Sequence, residues 1–348
     1  MGFIWFWIVA VMVAAYVVLD GFDIGVGILY PFLARTEDDR RIMLRSIGPV
    51  WDGNEVWLLA GGGTLYFAFP LLYASAFSGF YLPLMIVLWL LIGRGISLEL
   101  RMHVDNAIWR SFFDGVFFLS SALLSIFLGA ALANVIRGVP IGPDSYFFLP
   151  LWTNWRVGPH PGILDWYTVI GGLVALVALS THGALYLAMK APGELEARAQ
   201  RLSQTAWFAL CAMTVISLPA TILVRRSTLD NYTAHPVLFA IPVLVIASLA
   251  GIKAFSTRGE HLKAFLSSCL YLAIMLVGAC IGLYPTVLPS SIDAAGDITI
   301  AKSLSGAYAT HVGLIWWSIG MLLAIGYFCV SYGMFRGKVS SDSGEYGH

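Results

Sequence analysis

Long apolar runs separated by short polar ones organise this chain. Nine runs reach the length of about 20 residues that a helix needs to cross a hydrocarbon core: roughly 3–33, 53–74, 77–98, 113–136, 162–189, 204–224, 236–254, 263–285 and 308–334. This pattern predicts an all-α polytopic membrane protein with about nine transmembrane helices. The first run is too long for a straight perpendicular span, so it should tilt or overrun the bilayer. It lacks a basic leading segment and an A-x-A site, and its apolar stretch exceeds the about 7–15 residues of a signal peptide, so it reads as the first spanning helix. Four plus four helices before the last span accommodate two four-helix bundles with the ninth helix peripheral. A single transmembrane domain over residues 1–338 is expected, followed by a polar, disordered tail over 339–348.

The loops orient the array. Arg35, Arg40, Arg41 and Arg45 follow the first run, and the clusters after the third, fifth, seventh and ninth runs fall on the same side, giving fifteen Lys and Arg there against five on the other side. The positive-inside rule then puts the N-terminus outside and the C-terminus in the cytoplasm, which requires an odd number of spans. On the outer side, Trp152 and Trp155 sit among prolines and glycines, as expected at headgroup level. The loop over 285–307 is long and only mildly polar, which suggests that it is packed or functional.

Composition narrows the class. Hydrophobic residues make up 59% and charged residues 11%, against about 45–50% and about 25% in soluble domains. The formal net charge is zero, which suggests no nucleic-acid partner. Cys211, Cys269, Cys280 and Cys329 each stand alone in an apolar run, without CxxC or CxxCH spacing, and read as inert buried thiols.

Against this background the carboxylates stand out. Asp20 and Asp23 interrupt the first run within LDGFDIGVG, and Asp52 and Glu55 open the second within SIGPVWDGNEVWLLAGGG. Glu99 closes the third, flanked by Arg94 and Arg101. Intramembrane ionisable groups are costly, and each is a functional candidate. With the N-terminus outside, all five fall on the cytoplasmic side. A proton path competes with a structural reading, in which Asp52 and Glu55 form a capping box and Glu99 pairs with an arginine. Gly25, Gly27 and the run Gly61, Gly62 and Gly63 suit close helix approach. The GVG of residues 25–27 has no preceding strand and is not a dinucleotide motif.

Histidines give no matched pair for a haem. Only His182 and His311 lie in or beside apolar runs, at opposite ends of their helices, and His182 reads as a hydrogen-bonded bundle residue. No HExxH, GxSxG or P-loop occurs, so the chain carries no motif for autonomous catalysis, and neither a metal nor a cofactor is assigned to it.

LDGFDIGVG, RRIMLRSIGPVWDGNEVWLL, AFSGFY at 76–81, GALYLAMKAPGEL at 183–195 and YPTVLPSS at 284–291 resemble subunit II of the cytochrome bd-type quinol oxidases over nearly the whole chain. The resemblance implies a bacterial inner-membrane oxidase that oxidises quinol and reduces oxygen to water, with haem b and haem d in a haem-bearing subunit I. It implies that this chain is haem-free, has two four-helix bundles and a peripheral helix, meets quinol only through its partner, and contacts membrane lipid. It leaves room for a small single-span subunit and for a structural quinone that no residue here identifies. It also implies a proton route at the subunit boundary involving Asp52, with Asp20 and Asp23 as companions and an acid retained at Glu99; Glu55 joins the expected path from its position in the residue pattern. The subunit interface is expected on the first three helices, at Trp51, Trp57 and Gly61–Gly63, and to exceed about 2,000 Å². A proton-coupled transporter, with inverted repeats and broken helices at midplane, and an autonomous haem cytochrome are the alternatives.

Overall fold

The computed structural model describes residues 1–339. Helix α1 (Gly2–Leu33) is followed by α2 (Glu37–Ile47), α3 (Trp51–Ala68), α4 (Pro70–Gly79), α5 (Tyr81–Leu100) and α6 (Ala107–Arg137). After a loop come α7 (Trp166–Lys190), α8 (Gly193–Val224), α9 (Asp230–Ala234), α10 (Ala240–Thr257) and α11 (His261–Leu283). The strands β1 (Thr286–Leu288) and β2 (Ile298–Thr299), a short α12 (Ile300–Ser303) and α13 (Ala307–Met334) complete the described chain.

Eight helices are long and apolar enough to cross a membrane. The second of the nine expected spans is not among them. The first turns of α3 carry Asp52, Asn54 and Glu55, and its course is broken at Phe69–Pro70. Proline has no N–H and disrupts the turn before it. The carbonyls of Phe67 and Ala68 are met there by Ser305, through its hydroxyl and its backbone N–H. At the far end of α4, the Gly79 carbonyl accepts from Leu149 N. Together α3 and α4 cover residues 51–79, the stretch of the second expected run. Residues 34–50, expected as a charged loop, instead hold α2. A capping box starts it, with Thr36 Oγ1 accepting from Asp39 N and Asp39 Oδ2 accepting from Thr36 N, each at 3.1 Å.

Helix α1 is the centre. Every residue from Asp20 to Tyr30 is buried, because α1 packs against α3, α6, α7 and α11 at once. Its contact with α7 is backbone-close: a methyl group on Gly25 would lie 2.1 Å from the Leu179 carbonyl oxygen and 2.8 Å from Gly183 Cα. The glycine pair is what permits this crossing. Helices α1, α3–α4, α5 and α6 form one four-helix half, and α7, α8, α10 and α11 the other. Helix α13 lies outside both and buries only Thr310.

The loop over 285–307 is packed, as its mild polarity suggested. β1 pairs with β2, and Val139 N donates to the Pro289 carbonyl. At the opposite end Val339 N donates to the Lys190 carbonyl. The described part of the expected tail is thus Val339 alone; residues 340–348 lie outside the described residues. None of the four cysteines is fully buried as expected: Cys211, Cys269 and Cys280 are half-buried, and Cys329 is exposed on α13.

Candidate functional site

The buried stretch of α1 begins with its two aspartates. Asp20 and Asp23, almost one turn apart, are both buried. Arg94 of α5 reaches the same place and is itself 0% exposed. Its Nη1 lies 2.7 Å from Asp20 Oδ1, and its Nη2 donates to Glu55 Oε2 at 2.8 Å. Asn54, also buried, donates through Nδ2 to Asp23 Oδ2 at 2.8 Å, and its Oδ1 accepts from the Tyr332 hydroxyl at 2.7 Å. Residues from α1, α3, α5 and α13 thus meet in one cluster.

A guanidinium out of water is tolerated only when its charge is met. Asp20 and Glu55 meet that need from two sides. Asp20 and Glu55 thus share one arginine, while the third carboxyl, Asp23, is met by Asn54 and, among the described residues, not by a cation. Asp20 Oδ2, Asp23 Oδ1 and the Tyr16 hydroxyl are buried there with no hydrogen-bond partner among the described residues. Unsatisfied buried polar atoms are normally few. Their concentration here separates this cluster from ordinary packing.

The register of α3 decides which of its polar residues join. Asn54, Gly61, Thr64 and Ala68 are its buried residues and recur at helical spacing along the side facing α1. Asp52 lies on the other side with Val56, Leu59 and Gly63, all exposed. Asp52 and Glu55 do not form a capping box, because α3 starts two residues earlier than that box requires, with Val50 as an N-cap whose side chain makes no capping bond. Glu55 is half-buried and stands between the exposed Asp52 and the buried Asp20.

Glu99 is exposed and pairs with neither flanking arginine. Arg94 points to the interior cluster. Arg101 donates to Asp114 Oδ1 at 2.5 Å and to Glu37 Oε1 at 2.9 Å. Hydrogen bonds from Arg101 hold the Glu37 carboxyl below its usual range, outweighing the opposing effect of burial. Glu99 instead ends an exposed face of α5 that runs through Leu88, Trp89, Ile92 and Ile96. The five predicted carboxylates are therefore divided: Asp20, Asp23 and Glu55 converge, while Asp52 and Glu99 each close the end of an exposed apolar face. The sequence reading missed the parts played by Asn54 and Tyr332. The Asn54–Gly61–Thr64–Ala68 spacing was a usable signal for the first; nothing local marked the second.

The residues assigned to an interface behave unequally. Trp57 packs on Phe328 of α13, with ring centroids 5.5 Å apart, and the Trp51 ring would touch a methyl group on Gly95 at 3.5 Å. Both serve packing within the chain. Gly61 faces Met12 and Val13 of α1, whereas methyl groups on Gly62 and Gly63 would meet nothing within 4 Å.

His182 is buried and engaged through both ring nitrogens, Nδ1 with Ser268 Oγ at 2.7 Å and Nε2 with the Val18 carbonyl at 3.0 Å. Phe265 stacks on the ring at 4.8 Å. A haem iron would have to displace one of these bonds and open the packing, so His182 does not fit as an axial ligand. His311 is exposed on α13, with Nδ1 2.7 Å from the Ala307 carbonyl. Among the described residues no three His, Cys, Asp or Glu side chains are grouped to hold a metal ion.

A family model described as cytochrome bd terminal oxidase subunit II matches residues 1–335. The chain is 31% identical over 373 residues to the cytochrome bd-I ubiquinol oxidase subunit 2 of Escherichia coli strain K12, covering 99% of this chain and 96% of that protein. It is 31% identical over 341 residues to the cytochrome bd ubiquinol oxidase subunit 2 of Bacillus subtilis strain 168, covering 97% and 96%. Among solved structures, a chain of the bd oxidase from Geobacillus thermodenitrificans shares the fold, with a TM-score of 0.76 at 17% identity over 96% of this chain and 98% of that one.

Proposed function

Because the chain belongs to the cytochrome bd terminal oxidase subunit II family, we propose that its buried carboxylates form the inner part of a proton-uptake path that opens on the face joined to subunit I. It is a multi-pass protein of the bacterial inner membrane and one subunit of a quinol oxidase complex that contains haem. In our reading the haem b and haem d groups sit in subunit I, which also handles quinol. This chain supplies scaffold and protons. The N-terminus faces outside, so that the arginine-rich end holding Arg35 to Arg45 faces the cytoplasm.

The observation that carries the proposal is the row Glu55–Arg94–Asp20. Glu55 is partly open on the side of α3 that carries Asp52, while Asp20 is fully enclosed. A proton arriving at Asp52 has a second carboxyl one turn further along α3. That carboxyl shares its arginine with a third on α1. Reduction of oxygen consumes protons, and an energy-conserving oxidase draws them from the cytoplasm. The exposed faces of α3 and α5, with Leu59 73% and Trp89 67% exposed, offer the apolar surface for subunit I. Gly62 and Gly63 let its helices come close. In this reading the interface lies on Val56, Leu59 and Gly63 more than on Trp51 and Trp57. The break at Pro70 lies about 20 Å along the helix from Glu55, so it is not the midplane broken helix a transporter would use.

The test is turnover and proton uptake of the purified complex carrying Asp52→Asn or Glu55→Gln. Both changes keep size and hydrogen bonding but remove the titrating group. Assembly and haem content are expected to stay normal while oxygen consumption falls, most steeply at alkaline pH where protons are scarce. Variants that turn over like the parent across pH would overturn the path.

A further inference from the structure

A second site lies at the arginine-rich end, away from the faces assigned to subunit I. The ends of α2, α7 and α13 and the start of α11 enclose a groove of about 710 Å³, within the usual range of small-ligand sites. Its rim carries four cations, Arg45, Lys190, Arg336 and Lys338, and no carboxylate of the described residues lines it. Lys338 is paired with Glu196 at 2.6 Å, and Lys190 Nζ donates to the Phe335 carbonyl. Arg45 and Arg336 have no ion-pair partner among the described residues. Below this rim the wall is apolar. Leu262 and Leu266 are 57% and 54% exposed on α11, with Phe265 between them.

We propose that this groove binds an anionic phospholipid, its phosphate held by Arg45 and Arg336 and an acyl chain laid along Leu262, Phe265 and Leu266. The groove stands where spanning helices end, at headgroup depth. Its charge is of one sign, and of the four cations only Lys338 has an acidic partner among the described residues. The apolar wall continues from the rim toward the bilayer. Basic pockets between transmembrane helices select anionic headgroups for this reason. A soluble anion would use the rim and leave the apolar wall wet; a neutral lipid would use the wall and leave two arginines unmatched. The site is also connected. Tyr332 lines the groove and donates to Asn54, which donates to Asp23. The proposal does not depend on the proton path, since it requires only that the chain be embedded in a bilayer.

The experiment uses the intact oxidase in nanodiscs with photoactivatable phosphatidylglycerol or phosphatidylcholine, and maps cross-linked peptides. The expected result is that phosphatidylglycerol labels the segment 262–266 and phosphatidylcholine does not. In the Arg45→Gln/Arg336→Gln variant, labelling should fall on the order of tenfold, as expected for two charges near a surface. Equal labelling by the two lipids in the unaltered protein would overturn the proposal, whatever the variant does. So would displacement of the label by inorganic phosphate, which would make the rim a free-phosphate site. Labelling that appears only after residues 340–348 are deleted would make the tail, with Asp342 and Glu345, the occupant.

Discussion

The two four-helix halves bury polar groups by different means. In the half made by α7, α8, α10 and α11, the buried polar side chains between the helix ends are hydroxyls and one imidazole, each satisfied close by. His182 is held by Ser268 and a carbonyl, Thr214 bonds Tyr271 at 2.7 Å, and Ser248 donates to the Val245 carbonyl at 2.7 Å. In the half made by α1, α3, α5 and α6, the interior holds Asp20, Asp23, Glu55 and Arg94, with several polar atoms unsatisfied. The halves fold equally well into bundles. Neutral hydrogen bonds are therefore enough to hold such helices, and the charges of the first half need another reason. The face of that half is also the one left apolar and open on α3 and α5.

The strongest way to break the comparison is to remove the central charge. Arg94→Leu leaves Asp20 enclosed with no cation, and taking one partner from a buried pair costs about 3–5 kcal/mol. The purified complex should lose thermal stability accordingly, or fail to assemble. Asp20→Leu/Arg94→Leu removes both charges, and replacing a buried pair with apolar groups is often neutral. The double variant should recover most of the stability and none of the turnover. Recovery of both would show that the charges serve folding alone.

The seam between the halves gives the next effect. Gly25→Ala puts a methyl group 2.1 Å from the Leu179 carbonyl, so α1 and α7 must separate. Overpacking of this kind costs about 1–3 kcal/mol. Gly62→Ala, three turns along α3 from Trp51, meets nothing in the chain and should leave the isolated subunit unchanged. Melting curves of the two variants check this. A Gly62 variant that is stable alone but binds subunit I poorly would sharpen the assignment of the open face.

How much of this was legible in the sequence differs between the same regions. Apolar runs are a length signal, and they marked most spans to within a few residues, apart from α3 and α4 and the polar starts of α6 and α8, which begin six and eleven residues before their runs. There the polar first turn and Pro70 divide one run into two helices. Asp20 and Asp23 could be read as buried because they sit mid-run. Asp52 could not be placed, since exposure on α3 depends on which face meets α1. The Asn54–Gly61–Thr64–Ala68 periodicity holds that answer, but three polar residues in four positions at 52–55 hide it. The partner of Arg94 was misjudged because chain proximity favoured Glu99, whereas burial turned the side chain toward residues 74 and 39 positions away. Tyr332 lies far along the chain, on a helix with a single buried residue, and only the packed structure joins it to Asp23.

The smallest effect tests the neutral half. Thr214 donates to the Leu210 carbonyl at 2.7 Å within its own helix and shares a bond of the same length with the Tyr271 hydroxyl. Val has nearly the shape of Thr, so Thr214→Val removes the bond without opening a cavity. A neutral hydrogen bond contributes about 0.5–1.5 kcal/mol, and interhelical bonds in membrane proteins average about 0.6 kcal/mol. The Tyr271 hydroxyl is left buried, which pushes the cost toward the upper figure. Thermal unfolding of the complex should register a loss of about 1 kcal/mol, while oxygen consumption and its pH profile stay those of the parent, because no titrating carboxyl is touched. The contrast with Glu55→Gln is the informative measurement: that change should leave stability nearly intact and lower turnover, the opposite pattern. If Thr214→Val slows turnover as Glu55→Gln does, the hydroxyls of the second half also take part in proton movement, and the division between a holding half and a working half fails.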